Sequence, residues 1–384
     1  MTSVEEGYIR GADSCDDLRE QARRLVSPPV FDHIIGGAGD ERTIASNRAG
    51  YGRFRLRPRV LRDVREVDLR VEILGTPFGA PIYTCPTGGI SLVHPDGERG
   101  VARAARAADV GFVLSGSASI TLEEGAEVAG PARWYQIYWQ GYREVMVDLA
   151  ERAERAGYRA VVLTVDNATD PRRPRVLRSG FEFPAGINAS NFLPYAAPRW
   201  GAVTFDRRGR PIKGATVDTV ITWENVAWLR ERSPLPLVLK GIRDPEDAAH
   251  AVDAGVAGII VSNHGGRSLD GEPGTIEILE SIVEAVAGRI PVLIDGGVRR
   301  ATDIAIALGL GAAAVGIGSP VVWALAGGEA TVRAFLEDMV EDLRRTFGML
   351  GVSRVADLTR GYVSKWNEFA SDGESAPYLP PAYR

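Results

Sequence analysis

Residues 259–270 read IIVSNHGGRSLD. Three apolar β-formers give way to Ser262 and Asn263, and then to His264, two glycines and Arg267. A short apolar run bounded by turn-formers is the mark of a strand buried on both faces. The chain holds only four histidines, and one of them stands where such a strand runs out. The same kind of run recurs along the chain: PIYTC (81–85), GFVLS (111–115), RWYQIY (133–138), RAVVLTVD (159–166), LPLVLK (235–240), AGIIVS (257–262), IPVLID (290–295) and AAVGIG (313–318). Alanine-rich amphipathic stretches such as GERGVARAARAADV, YREVMVDLAERAERAGY and DPEDAAHAVDAG lie between them. In the last of these, Asp244 is placed to cap a helix, Pro245 to occupy its first position and Gly255 to close it. Eight strand–helix units in series predict an α/β chain folded as a (β/α)8 TIM barrel, with a doubly wound parallel sheet as the alternative.

Two segments fall outside the repeat. Residues 1–80 predict an N-terminal helical extension, and residues 81–360 the barrel. Residues 181–222, rich in proline and glycine, make a long excursion after strand four, either an active-site lid or a variable surface loop. Residues 361–384 lack periodicity and predict an extended C-terminal arm. With 384 residues, a formal charge of −5 and no dense Lys/Arg stripe, the composition speaks against a nucleic-acid partner. Cys15 and Cys85 make no disulfide framework, and neither a signal pattern nor an apolar run of membrane-spanning length is present. The expectation is a soluble, cytoplasmic protein.

Barrels of this kind carry their chemistry at the C-terminal ends of the strands. Those ends hold Thr87 and Gly88, Ser115, Gln136 and Tyr138, Thr164 and Asp166, Lys240, Ser262 and His264, residues 295–299, and Gly318. Polar residues closing seven of eight apolar strands point to a site. After strands seven and eight come Asp295, Gly296, Gly297 and Arg299, then Gly318 and Ser319. Loops seven and eight are the usual phosphate position of this fold, where backbone N–H groups and an arginine fork favour an anion.

SNHGGRSLD, DGGVRRATDIAIALGLGAAAVGIGSP, LVLKGI, YQIYW and LTVDNATDPRRP together resemble the FMN-dependent α-hydroxy-acid oxidase/dehydrogenase family, and so does FDHIIGGAGDERTIASNRAGYGRFRLRPRVLRDV. The likeness runs in order over residues 28–360. It implies FMN as cofactor and no metal. It also implies a 2-hydroxy acid as substrate, oxygen or another electron acceptor, and a homo-oligomer, tetramer or octamer. By the same resemblance His264 is the catalytic base and Asp166 its orienting partner, since imidazole titrates near working pH. Arg267 and Arg173 would clamp the substrate carboxylate, Tyr138 would hydrogen-bond the substrate oxygen, and Lys240 would face the flavin ring. Pro86, Thr87, Gly88, Ser115, Gln136, Thr164 and Ser262 would contact the flavin. The resemblance also shows departures: His33 stands where a substrate-contacting Tyr is usual, Ser319 where a phosphate-binding Arg is usual, Ser117 where a bulky aromatic occurs, and Gly88 where an Ala faces the flavin. Ser117 and Gly88 predict an enlarged pocket and, with a polar Asp170, a substrate larger than lactate, mandelate-like. Oxidative decarboxylation, or tailoring of a specialised metabolite, is the alternative.

Overall fold

The structure, a computed structural model, describes residues 14–169, 171–184, 187, 189–196 and 220–366. Its centre is a closed barrel of eight parallel strands. They are β1 (Ile82–Thr84), β2 (Gly111–Ser115), β3 (Arg133–Tyr138), β4 (Val161–Thr164), β5 (Leu237–Ile242), β6 (Gly258–Val261), β7 (Val292–Asp295) and β8 (Ala314–Ile317). Each pairs with the next, and β8 closes on β1 through Val315 beside Ile82. The barrel expectation holds, and the doubly wound alternative, which would leave two open edges, does not.

Strand parity decides what faces inward. Tyr83, Val113, Trp134, Val162, Val238, Ile260, Leu293 and Ala314, one from each strand, form an apolar cluster of their own. Their chain neighbours Leu114, Tyr135, Leu239 and Ile294 belong to the larger cluster shared with the surrounding helices. Successive side chains on a strand point to opposite faces, so the first set fills the barrel and the second packs outward. Two residues further along, the inward phase reaches Cys85, Ser115, Gln136, Thr164, Lys240, Ser262, Asp295 and Gly316. A polar layer therefore sits on the apolar one as a consequence of the period of two.

The segment before the barrel contains α1 (Cys15–Leu25), α2 (Pro28–Ile35) and α3 (Arg42–Tyr51), and also strands. A hairpin of Val71–Ile73 and Thr76–Phe78 closes the N-terminal end of the barrel. Its Ile73 and Phe78 join the interior cluster, and Trp134 Nε1 donates to Thr76 Oγ1 at 3.0 Å. Phe54–Leu56 pairs antiparallel with Val363–Lys365, so the chain re-enters the fold there. Residues 367–384 of the expected arm, Asp170 and most of the 181–222 excursion lie outside the described residues. Among the described residues no helix is long and apolar enough to cross a membrane.

Candidate active and cofactor site

After β6 the backbone turns through three consecutive left-handed residues, His264, Gly265 and Gly266, with φ of 56°, 62° and 76°. Glycine adopts this conformation freely, whereas a residue with a side chain gives up about 1–2 kcal/mol. His264 is held there by its partners. Its Nδ1 lies 2.9 Å from Asp166 Oδ1, at the end of β4, and its Nε2 lies 3.4 Å from the Tyr138 hydroxyl, at the end of β3. A Cβ on Gly266 would strike Ile44 at 2.8 Å, so this glycine also lets α3 close over the turn.

The Asp166 side chain is fully buried. Burial alone would raise its pKa, but His264, Lys240 and Arg243 outweigh that and hold the carboxyl below its ordinary range. An ionised Asp166 favours a proton on Nδ1 and leaves Nε2, on the cavity side, able to accept one. Burial also works against the charge of Lys240, yet Asp295 and Asp166 prevail and its pKa stands above the ordinary lysine value. Lys240 Nζ donates to Ser262 Oγ at 2.9 Å and lies 3.6 Å from Asp295 Oδ2, while Ser262 Oγ donates to Asp295 Oδ1 at 2.7 Å. On the opposite wall Ser115 Oγ donates to Gln136 Oε1 at 3.1 Å, and Gln136 Nε2 to Thr164 Oγ1 at 2.9 Å. These chains lock the side chains of the polar layer.

Two arginines share the same end. Arg173 donates to the carbonyls of His33 and Gly36, each at 2.6 Å, and Arg267 donates to that of Ile34. Those carbonyls close α2, where a helix leaves acceptors unsatisfied and favours cations. The guanidinium pair thereby draws His33 to the cavity, with its ring stacked on Phe181 at 4.1 Å and edge-on to Phe183 at 5.0 Å. Burial, with Arg173 and Arg299 adding to it, pulls the pKa of Arg267 down to about 10.

One cavity of about 330 Å3 is lined at its active end by His264, Tyr138, Arg173, Arg267, His33 and Lys240. Pro86, Thr87 and Gly88 line its wall, and Gly296, Gly297, Arg299, Gly318 and Ser319 its far end. Ser115, Gln136, Thr164 and Ser262 are buried but do not line it. At the far end Arg299 lies over the Trp323 ring at 4.8 Å, and its buried Nε has no hydrogen-bond partner among the described residues. Gly296 and Gly297 are both left-handed, and a Cβ on Gly297 would come within 2.0 Å of the Asn47 carbonyl oxygen. An orphaned guanidinium donor beside a side-chain-free loop fits a phosphoryl group, and a buried cation at Lys240 fits a ring that becomes anionic.

One expectation is overturned. A Cβ on Gly88 would meet the backbone oxygen of Ser117 at 2.6 Å and its Cβ at 2.7 Å, and Ser117 does not line the cavity. The methyl missing at residue 88 makes room for the neighbouring loop, not for a ligand, so these two positions do not enlarge the pocket. Sequence reasoning also missed Asn47, Arg48, Cys85 and Trp323, all of which line the cavity. Cys85 and Trp323 could have been found, the first by strand parity and the second by its place just after loop eight. Asn47 and Arg48 lie in the extension, which no barrel rule reaches.

Comparison with known proteins shows the family. A peroxisomal (S)-2-hydroxy-acid oxidase of Oryza sativa subsp. japonica is 41% identical over 349 residues, covering 90% of this chain and 94% of that protein. The 4-hydroxymandelate oxidase of Amycolatopsis orientalis is 41% identical over 353 residues, covering 90% of this chain and 97% of its own. The solved structure of mandelate oxidase with (S)-2-phenylpropionate aligns with a TM-score of 0.82 at 40% identity, over 90% of this chain and 96% of that one. The sequence model described as FMN-dependent dehydrogenase matches residues 22–365, a span that takes in most of the extension and the whole barrel. By sequence and fold, the chain belongs to the FMN-dependent dehydrogenase family.

Proposed function

We propose that this chain oxidises a 2-hydroxy acid to the corresponding 2-keto acid, and that it prefers substrates carrying an aryl group. The observation that carries the first part is the convergence of His264 Nε2, the Tyr138 hydroxyl and two guanidiniums on one end of a single cavity. Arg173 and Arg267 hold the substrate carboxylate by two-pronged contacts. That grip sets the hydroxyl-bearing carbon before His264, whose Nε2 takes a proton as oxidation proceeds. Asp166, ionised and fixed on Nδ1, stabilises the imidazolium that results. Bound FMN supplies the acceptor for the two electrons that leave the substrate carbon. Lys240 keeps a positive charge against that end of the cavity. Oxygen is the proposed final acceptor, which makes hydrogen peroxide the second product.

Support for the aryl preference comes from two sides. His33, Phe181 and Phe183 form an aromatic cluster next to the guanidinium pair. Mandelate and 4-hydroxymandelate oxidases stand among the proteins similar to this chain. The test is kcat/KM for lactate, glycolate, mandelate and 4-hydroxymandelate, with peroxide counted per turnover. A tenfold preference for lactate or glycolate removes the aryl preference, and a flavin that no 2-hydroxy acid bleaches under anaerobic conditions removes the reaction. Keto acid recovered as its decarboxylated product, without free peroxide, would favour the monooxygenase alternative. We further propose a cytoplasmic homo-oligomer, which fits two unpaired cysteines and is checked by light scattering and fractionation.

A further inference from the structure

We propose that Arg48, carried into the cavity by α3 of the N-terminal extension, is a second anchor for the FMN phosphate, and that Asp16 of α1 positions it. Loop eight brings no charge of its own to the far end of the cavity, since the residue there is Ser319. Loop seven brings Arg299 alone. A phosphate monoester carries about −1.5 to −2 charges near pH 7, more than one guanidinium balances. Arg48 lines the same cavity. It follows directly on Asn47, whose carbonyl oxygen packs against the Gly296–Gly297 turn.

Two contacts tie Arg48 and loop seven to α1. Arg48 Nη2 reaches both carboxylate oxygens of Asp16, at 3.1 and 3.3 Å. Cys15 Sγ donates to the Arg299 carbonyl at 3.1 Å. The Arg48 side chain is 17% exposed and that of Asp16 44%, so solvent screens the carboxylate more than the guanidinium. Burial and the like charge of Arg48 both lower the hold of Arg299 on its proton. Two guanidiniums that line one cavity and repel each other are relieved by an anion between them.

The test compares FMN with riboflavin, which lacks the phosphate. Holoenzyme is diluted and flavin release followed by recovered fluorescence, and the same protein is then reloaded with riboflavin. Arg48→Ala should weaken FMN binding tenfold or more, leave riboflavin affinity within twofold, and so shrink the FMN-to-riboflavin ratio. Arg48→Lys should recover part of that ratio. Arg48→Gln replaces the alanine variant if the latter fails to fold. A ratio within twofold of the parent overturns the proposal, as does an equal loss for both flavins, which would mean a structural role. A parent chain that holds neither flavin overturns the cofactor assignment and the proposal together.

Discussion

At the active end of the cavity His264, Asp166, Tyr138 and Lys240 all stand on or just beyond barrel strands, whereas at the phosphate end Arg299 and the two glycines of loop seven share the space with Asn47 and Arg48 from α3. The first group is internally paired, His264 with the buried Asp166, and the buried Lys240 with Ser262 and Asp295. The second is assembled from two parts of the chain about 250 residues apart, held by the α1–α3 contacts and by close packing on Gly297. A strand fixes the direction of its side chains through the barrel's hydrogen-bond register, so proton chemistry can be placed within tenths of an ångström. An anion needs only charge and donors nearby, and several segments can supply those. The two ends should therefore fail differently when altered.

The sharpest break is expected from His264→Ala. Flavin reduction by a 2-hydroxy acid should fall by about 10²–10⁴-fold, the usual worth of a general base, while FMN stays bound. Anaerobic stopped-flow absorbance reads both; reduction at the parental rate would show that the proton leaves elsewhere. Arg299→Ala should do the reverse. FMN retention should weaken by roughly 1.5–3 kcal/mol, the scale of a charge-assisted hydrogen bond, with reduction of the still-loaded fraction near normal. Flavin release and single-turnover reduction, measured on one preparation, separate the two effects.

Arg267→Lys keeps the charge but loses the fork, and kcat/KM should fall by about 1–3 kcal/mol in total. Unchanged kinetics with every active substrate would place the carboxylate elsewhere. An effect of similar size, on stability and not on catalysis, belongs to Gly88→Ala, between the two ends. Its new methyl meets the Ser117 backbone, so the melting temperature should drop by the equivalent of about 1–3 kcal/mol. A large shift in substrate size preference with unchanged stability would instead mean that residue 88 does shape the pocket.

Asp166 adds a pH signature to the active end. Its folded pKa lies below the ordinary carboxylate value. Its contribution to stability is thus complete above about pH 3.9 and fades as pH falls through the lower folded value. The stability offset between the parent and Asp166→Asn, read by acid titration of both, should therefore be at its full size above that point and shrink as pH falls below it. An offset that instead grows as pH falls below about 3.9 would contradict an ionised Asp166.

The fold was legible because each barrel strand announces itself as an apolar run and each helix as an amphipathic stretch of the right length. The polar layer was legible for the same reason, since Thr164, Lys240, Ser262 and Asp295 are the inward residues two places beyond Val162, Val238, Ile260 and Leu293. What could not be read were contacts between loops. Gly88 and Ser117 look in sequence like two independent gains of space, yet they fill one another. Nor does the sequence hint that a hairpin at 71–78 plugs the barrel, or that 363–365 pairs with 54–56.

By itself, then, the sequence determined the eight-strand count, the side on which chemistry sits, and the residues whose types suit a base, a carboxylate clamp and an anion loop. These follow from local periodicity and from side-chain chemistry, both of which are written in neighbouring residues. Only the tertiary structure decided that His264 is gripped from two other strands, that the arginine pair closes α2 and brings in His33, and that α3 delivers Arg48 to the far end. Such juxtapositions join segments 100 to 250 residues apart. Long-range packing and barrel closure choose those partners, and no pattern within a single segment encodes them.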